Sequence, residues 1–93
     1  MNVLLVPGTI RVAPSLPVEL AATVDGETLR LAIEWPVIER WLGDRASNVD
    51  AVREALLSRR NVIERTIMAR VYAHGIPISG ELTLTSRDFM AQR

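Results

Sequence analysis

Chemistry at neutral pH needs side chains that titrate, coordinate or attack, and this chain of 93 residues offers few. Histidine occurs once, at His74, and cysteine not at all, which excludes disulfides, thiolate nucleophiles and cysteine-bound zinc. All eleven basic residues are arginine, so Schiff-base chemistry on a lysine is excluded as well. His74 stands next to Gly75 at the end of a helical pattern, where partial positive charge is favoured. It has no second ligand for a metal and no nucleophile to serve as general base. Arginine-only usage fits the codon bias of a GC-rich genome, or a need for planar guanidinium groups that recognise carboxylate or phosphate. The most informative arginine is Arg60, within "EALLSRRNVIERTIM". On one continuous helix of about 100° per residue, Val49, Val52, Leu56, Ile63, Ile67 and Val71 share a face, and Arg60 falls near its middle.

A guanidinium on an apolar stripe has three physical explanations. Its stem can cover apolar surface while the head reaches water. It can be buried and paired with Glu64 one turn on, or with Glu81 or Asp88. Or it can face a partner or an anionic ligand. Nothing else in the sequence suggests catalysis: there is no phosphate-binding glycine loop, dinucleotide fingerprint, paired-histidine site or nucleophile elbow. We therefore expect neither enzymatic activity nor a cofactor nor a metal.

The elements that must hold these residues read as α+β. In "VELAATVDGETLRLAIE", Asp25-Gly26 suits a two-residue type I′ turn, in which both central residues take φ > 0. With Val24 opposite Glu27, the pairs Ala22–Leu29, Leu20–Leu31 and Val18–Ile33 all fall on one face, and a slip of one residue would destroy that sorting. Before the hairpin, Val3–Val6 and Thr9–Val12 are short strand candidates with Pro7-Gly8 as a turn, and Ala13 to Pro17 is a rigid connector. After it, "EWPVIERWLGD" is a short helix with Pro36 in its first turn and Gly43 as its stop. Trp35 and Trp41 flank this helix, either packed over the sheet edge or offered as a stacking platform. The long helix follows, capped by Ser47 or Asn48 and ended by Gly75. "IPISGELTLT" returns as a strand interrupted near Gly80, and Thr85 with Asp88 has the spacing of a further helix start. Phe89 and Met90 follow in a tail of the kind that is ordinarily mobile. The expected architecture is a small antiparallel sheet of hairpin plus N- and C-terminal strands, packed by one short and one long helix.

Composition sets the outer bounds. The length fits one domain, 1–93, and the 48% hydrophobic and 24% charged fractions are those of a globular chain. Formal net charge is zero, so no global field draws nucleic acid or an anionic membrane. The apolar run near the N-terminus ends at Pro7, too short for a signal peptide, and no stretch approaches the roughly 20 apolar residues of a membrane span. A cytoplasmic location is the expectation.

The order hairpin, short helix, long helix, final strand resembles a small bacterial family catalogued as domain of unknown function 1488. The carriers are the Asp-Gly hairpin, "VIERWL", "LLSRRNVIE" and "GELTLTSRD", over about Val18 to Phe89. In that family an arginine commonly stands three residues before an isoleucine and glutamate, as Arg60, Ile63 and Glu64 do here. The family's usual preceding aromatic is replaced by Leu56 or Leu57, and its usual small or polar entry to the short helix by Glu34-Trp35. The resemblance implies a small antiparallel sheet packed by helices and brings no known activity. It also singles out "TSRD" beside the arginine, which makes Asp88 the preferred partner of Arg60. On that pairing, Arg60→Met should cost at least about 2 kcal/mol by stranding a buried carboxylate.

Three function classes compete. A non-catalytic interaction module, associating as a homodimer or with another protein, is favoured by size, neutral charge and the exposed-looking Trp35, Met68, Tyr72 and Phe89. A nucleic-acid binder using Arg53, Arg59, Arg65 and Arg70 is disfavoured, because these point to different sides of a helix and are diluted by Asp50, Glu54 and Glu64. An enzyme has the least support.

Overall fold

The hairpin forms in the register that its apolar sorting demands. The computed structural model of the chain describes residues 1–13 and 17–90. Strands β2 (Val18–Val24) and β3 (Glu27–Ile33) pair antiparallel, with Val24 opposite Glu27 and Leu20 opposite Leu31. Asp25 and Gly26 take φ of 50° and 88°, the left-handed geometry the two-residue turn needs. The N-terminus locks onto this turn: Asn2 N–H donates to Asp25 Oδ1 at 2.7 Å, and Asp25 N–H donates to the Asn2 carbonyl at 2.8 Å.

The N-terminal segment is one strand, β1 (Val3–Arg11), where the sequence suggests two short ones around Pro7-Gly8. It pairs antiparallel with β2 and is irregular between Val6 and Arg11. Thr9 spans the irregularity, its hydroxyl donating to the Val6 carbonyl and accepting from Ala21 N–H at 2.8 Å. One side-chain oxygen thus replaces a missing backbone partner. Most of the connector from Ala13 to Pro17 lies outside the described residues.

Helix α1 (Trp35–Leu42) has Pro36 in its first turn and stops at Gly43, with φ of 58°. A short 3₁₀ turn (Gly43–Ser47) leads to α2 (Val49–Ser58), whose first turn is capped by Asn48 Oδ1 accepting from Ala51 N–H at 3.1 Å. The long helix then breaks. Arg59, at φ −103° and ψ 19°, separates α2 from α3 (Arg60–His74). No proline or glycine marks the break. The Ala55 carbonyl receives both Arg59 N–H, at 3.0 Å, and the Ser58 hydroxyl, at 3.1 Å.

The last strand, β4 (Glu81–Leu84), pairs parallel with β3, giving a four-stranded mixed sheet of order β1-β2-β3-β4. The α+β class stands, and the antiparallel expectation for β4 is corrected. A crossover through three helices returns the chain to the middle of β3, where Arg30 N–H donates to the Gly80 carbonyl at 2.8 Å. Ile76 and Ile78 belong to no strand: Gly80 N–H closes a turn onto the Pro77 carbonyl, and both isoleucines are exposed. The last described element is α4 (Ser86–Met90).

All helices lie on one face of the sheet. Leu20, Leu29, Leu31 and Ile33 from the strands and Ile38, Leu56, Ile63 and Ile67 from the helices fill the core between them. Thr66 is buried there and satisfied, its hydroxyl donating to the Val62 carbonyl at 2.7 Å. Among the described residues, no layer lies over the opposite face of the sheet.

Candidate functional site

Helix α3 carries a polar side chain to each outer edge of the sheet. On the β1 side, Leu5 N–H points away from β2 and donates to Glu64 Oε2 at 2.9 Å. Arg60 Nε donates to the same oxygen at 3.3 Å, one helical turn away. Glu64 is 14% exposed and Arg60 44% exposed. Arg60 is therefore a half-exposed support for a better-buried carboxylate, at the margin of the stripe that Val52, Leu56, Ile63 and Ile67 bury. Of the partners the sequence offers, Glu64 holds Arg60; Glu81 and Asp88 do not.

On the β4 side the guanidinium is Arg70. Its Nη1 meets both oxygens of Asp88, at 3.0 and 2.8 Å, and donates to the Thr83 carbonyl at 3.4 Å. Asp88 Oδ2 also accepts from Thr85 N–H at 2.8 Å and from the Thr85 hydroxyl at 3.2 Å, closing the first turn of α4 as a capping residue does. Burial alone would raise the Asp88 pKa. The Thr85 N–H, the Arg70 guanidinium and the Thr85 hydroxyl outweigh it and hold the carboxyl below its ordinary 3.8. Glu81 N–H is met by Ser79 Oγ at 3.3 Å on the same edge, and Glu81 itself pairs with Arg30 across β3 and β4.

Trp41 anchors a second cluster. Phe89 meets it edge-on at 5.2 Å between ring centroids, and the Arg59 guanidinium lies 5.2 Å over its ring. A cleft of about 390 Å³ between α1 and α4 is lined by Val37, Arg40, Trp41, Ser86, Phe89 and Met90. With Phe89 docked, the C-terminal segment is a packed element as far as Met90. Trp35, Met68 and Phe89, which look exposed in the sequence, pack partly buried against the core, whereas Tyr72 is 78% exposed. His74 is exposed in the last turn of α3.

The uncovered sheet face holds the larger depression, about 530 Å³, walled by Arg11, Glu19, Arg30 and Glu81 with Ala21 and Ala32 between them. Sequence reasoning identified Asp88, Glu64 and Trp41 as residues with a task. It missed Arg70, whose link to Asp88 spans 18 residues and depends on the phase of α3. It also missed this face as a surface. Among the described residues, no helix is long and apolar enough to cross a membrane, and no three acidic, His or Cys side chains gather to hold a metal ion. Comparison with protein-family models, with curated proteins and with solved structures finds no match for this chain.

Proposed function

We propose that this chain is a small cytoplasmic interaction module that performs no chemistry of its own and associates with itself, and that it belongs with the bacterial family of unknown function it resembles. The observation that carries the reading is how the surface is divided. One face of the sheet is under helices. Its edges are engaged by Glu64 on β1 and by Ser79 and Arg70 on β4, with Asp88 at Thr85 just beyond that strand. Among the described residues, no helix or strand covers the remaining sheet face, which holds the depression walled by Arg11, Glu19, Arg30 and Glu81. The buried Thr66 and the part-buried Glu64 and Asp88 are all engaged in holding the fold. The segments that carry the family resemblance, "LLSRRNVIE" and "GELTLTSRD", also supply Arg60, Glu64 and Asp88. The nucleic-acid reading loses two of its four arginines, since Arg59 lies on Trp41 and Arg70 holds Asp88.

Sedimentation equilibrium over a wide concentration series tests self-association. A mass rising from 10.3 kDa toward twice that value is expected. A mass fixed at 10.3 kDa up to the solubility limit would refute the reading.

A further inference from the structure

The outward residues of the sheet form rows across the strands. One row runs Val6, Ala21, Arg30, Glu81 from β1 to β4, and the next runs Arg11, Glu19, Ala32, Thr83. Two features of this grid belong together. Its charges are two acids and two arginines, alternating in sign, with Arg30 and Glu81 already paired within the chain. Its two central strands also alternate long and short: Ala21 sits beside Arg30, and Glu19 beside Ala32. The depression of about 530 Å³ lies where the short residues are.

From this grid we infer that two copies of the chain pack open face to open face, about a two-fold axis parallel to the strands and midway between β2 and β3. The inference rests on the self-association reading above and assigns its surface. The operation lays β2 of one copy over β3 of the other and keeps the rows level, as in aligned sheet packing. Ala21 then faces Arg30 of the second copy, and Ala32 faces Glu19 of the second copy. Each long side chain enters a gap left by an alanine. Arg30 comes diagonally beside Glu19 of the other copy, and Arg11, opposite Thr83, comes beside Glu81. Every charge in these rows meets its opposite. A strongly acidic or strongly basic partner would leave half of them against like charge, which is why a second copy is the occupant that fits.

Charge exchange on the full chain tests this. Glu19→Arg sets two arginines together across the axis, and Arg30→Glu sets two carboxylates together. Each single variant, checked for an intact fold by circular dichroism, should raise the dimer dissociation constant at least about tenfold, because like charges placed face to face in an interface are strongly disfavoured. An equimolar mixture of the two variants should regain association, since arginines at positions 19 and 30 of one copy then face carboxylates at positions 30 and 19 of the other. Ala21→Arg, which fills the gap opposite Arg30, should also give monomers. If the wild type dimerises and all three variants dimerise equally well, the assigned face is wrong while self-association stands. Loss of that dimer in Tyr72→Ser/Ile78→Ser would move the interface to the exposed apolar residues after α3. Folded variants that fail to recombine would overturn the two-fold pairing. A wild type that stays monomeric throughout overturns both the face and the self-association reading.

Discussion

Glu64 carries more of the structure than the arginine beside it. Its carboxylate is the acceptor for an edge-strand N–H, and Arg60 is a half-exposed neighbour one turn away. Glu64→Ala strands the Leu5 N–H and should lower stability by about 1–3 kcal/mol, whereas Glu64→Gln, which keeps an acceptor oxygen, should recover much of that loss. Arg60→Met removes only a pair of the helix-surface kind and should cost less than about 1 kcal/mol in urea melts. That replaces the larger loss expected of a buried Arg60–Asp88 pair. Asp88 is the more demanding carboxylate. Asp88→Ala removes the Arg70 pair and the Thr85 cap together and should cost about 1.5–3 kcal/mol. Its pH dependence has a fixed sign. The folded-state pKa lies below the unfolded one, so the stabilisation is complete above the unfolded value near 3.8 and is lost as pH falls through the lower folded value. Urea melts of wild type and Asp88→Ala should differ by a constant amount at neutral and mildly acidic pH and converge only in strong acid.

At the scale of elements, the patterns that can be read are those whose signals are local. The hairpin was legible because alternation and the Asp25-Gly26 turn are local and agree with each other. Helix α2 was legible from its Asn48 cap and α1 from Pro36 and Gly43. The setting of Arg60 was not, since the helical wheel places it within the stripe and only its contact with Glu64 shows that it lies at the exposed margin. Ile63, Ile67 and Val71 keep their burial because their mutual spacing lies wholly within α3. The parallel pairing of β4 was illegible for a different reason: its alternating residues suit either direction, and only the path through α1 to α3 decides between them. Helix α4, only Ser86–Met90, is too short to persist alone and depends on Phe89 against Trp41 and on the Asp88 network. Phe89→Ala should therefore release it. We expect a red shift in tryptophan emission and a loss of about 1–3 kcal/mol, the lower part of the range for aromatic truncation because Phe89 is only half-buried.

For the whole molecule, α3 works as a bar with a polar contact at each side of the sheet, Glu64 at β1 and Arg70 at β4. Pro7, further along β1, adds a position with no N–H to offer. The two contacts sit on opposite edge strands, three strand spacings or roughly 14 Å apart, so their losses should add. The double variant Glu64→Ala/Asp88→Ala should show the sum of the single losses within about 0.5 kcal/mol. It should also aggregate on warming faster than either single variant when followed by turbidity, because the Leu5 N–H on the β1 edge is then unmet and α4 is no longer tied down beside β4.

The parallel pairing of β3 with β4 bears on how the chain is made. Roughly half the chain separates the two strands, and all three long-range helices lie in that interval. At about 5–20 residues per second of synthesis, the finished hairpin waits a few seconds outside the ribosome with the β3 edge unpaired and Leu29, Leu31 and Ile33 uncovered. During that wait a second nascent copy could pair in place of β4. Arg30, standing in the middle of β3, is a charge of the kind that disfavours strand addition at such an edge, and Glu81 pairs with it once β4 is in place.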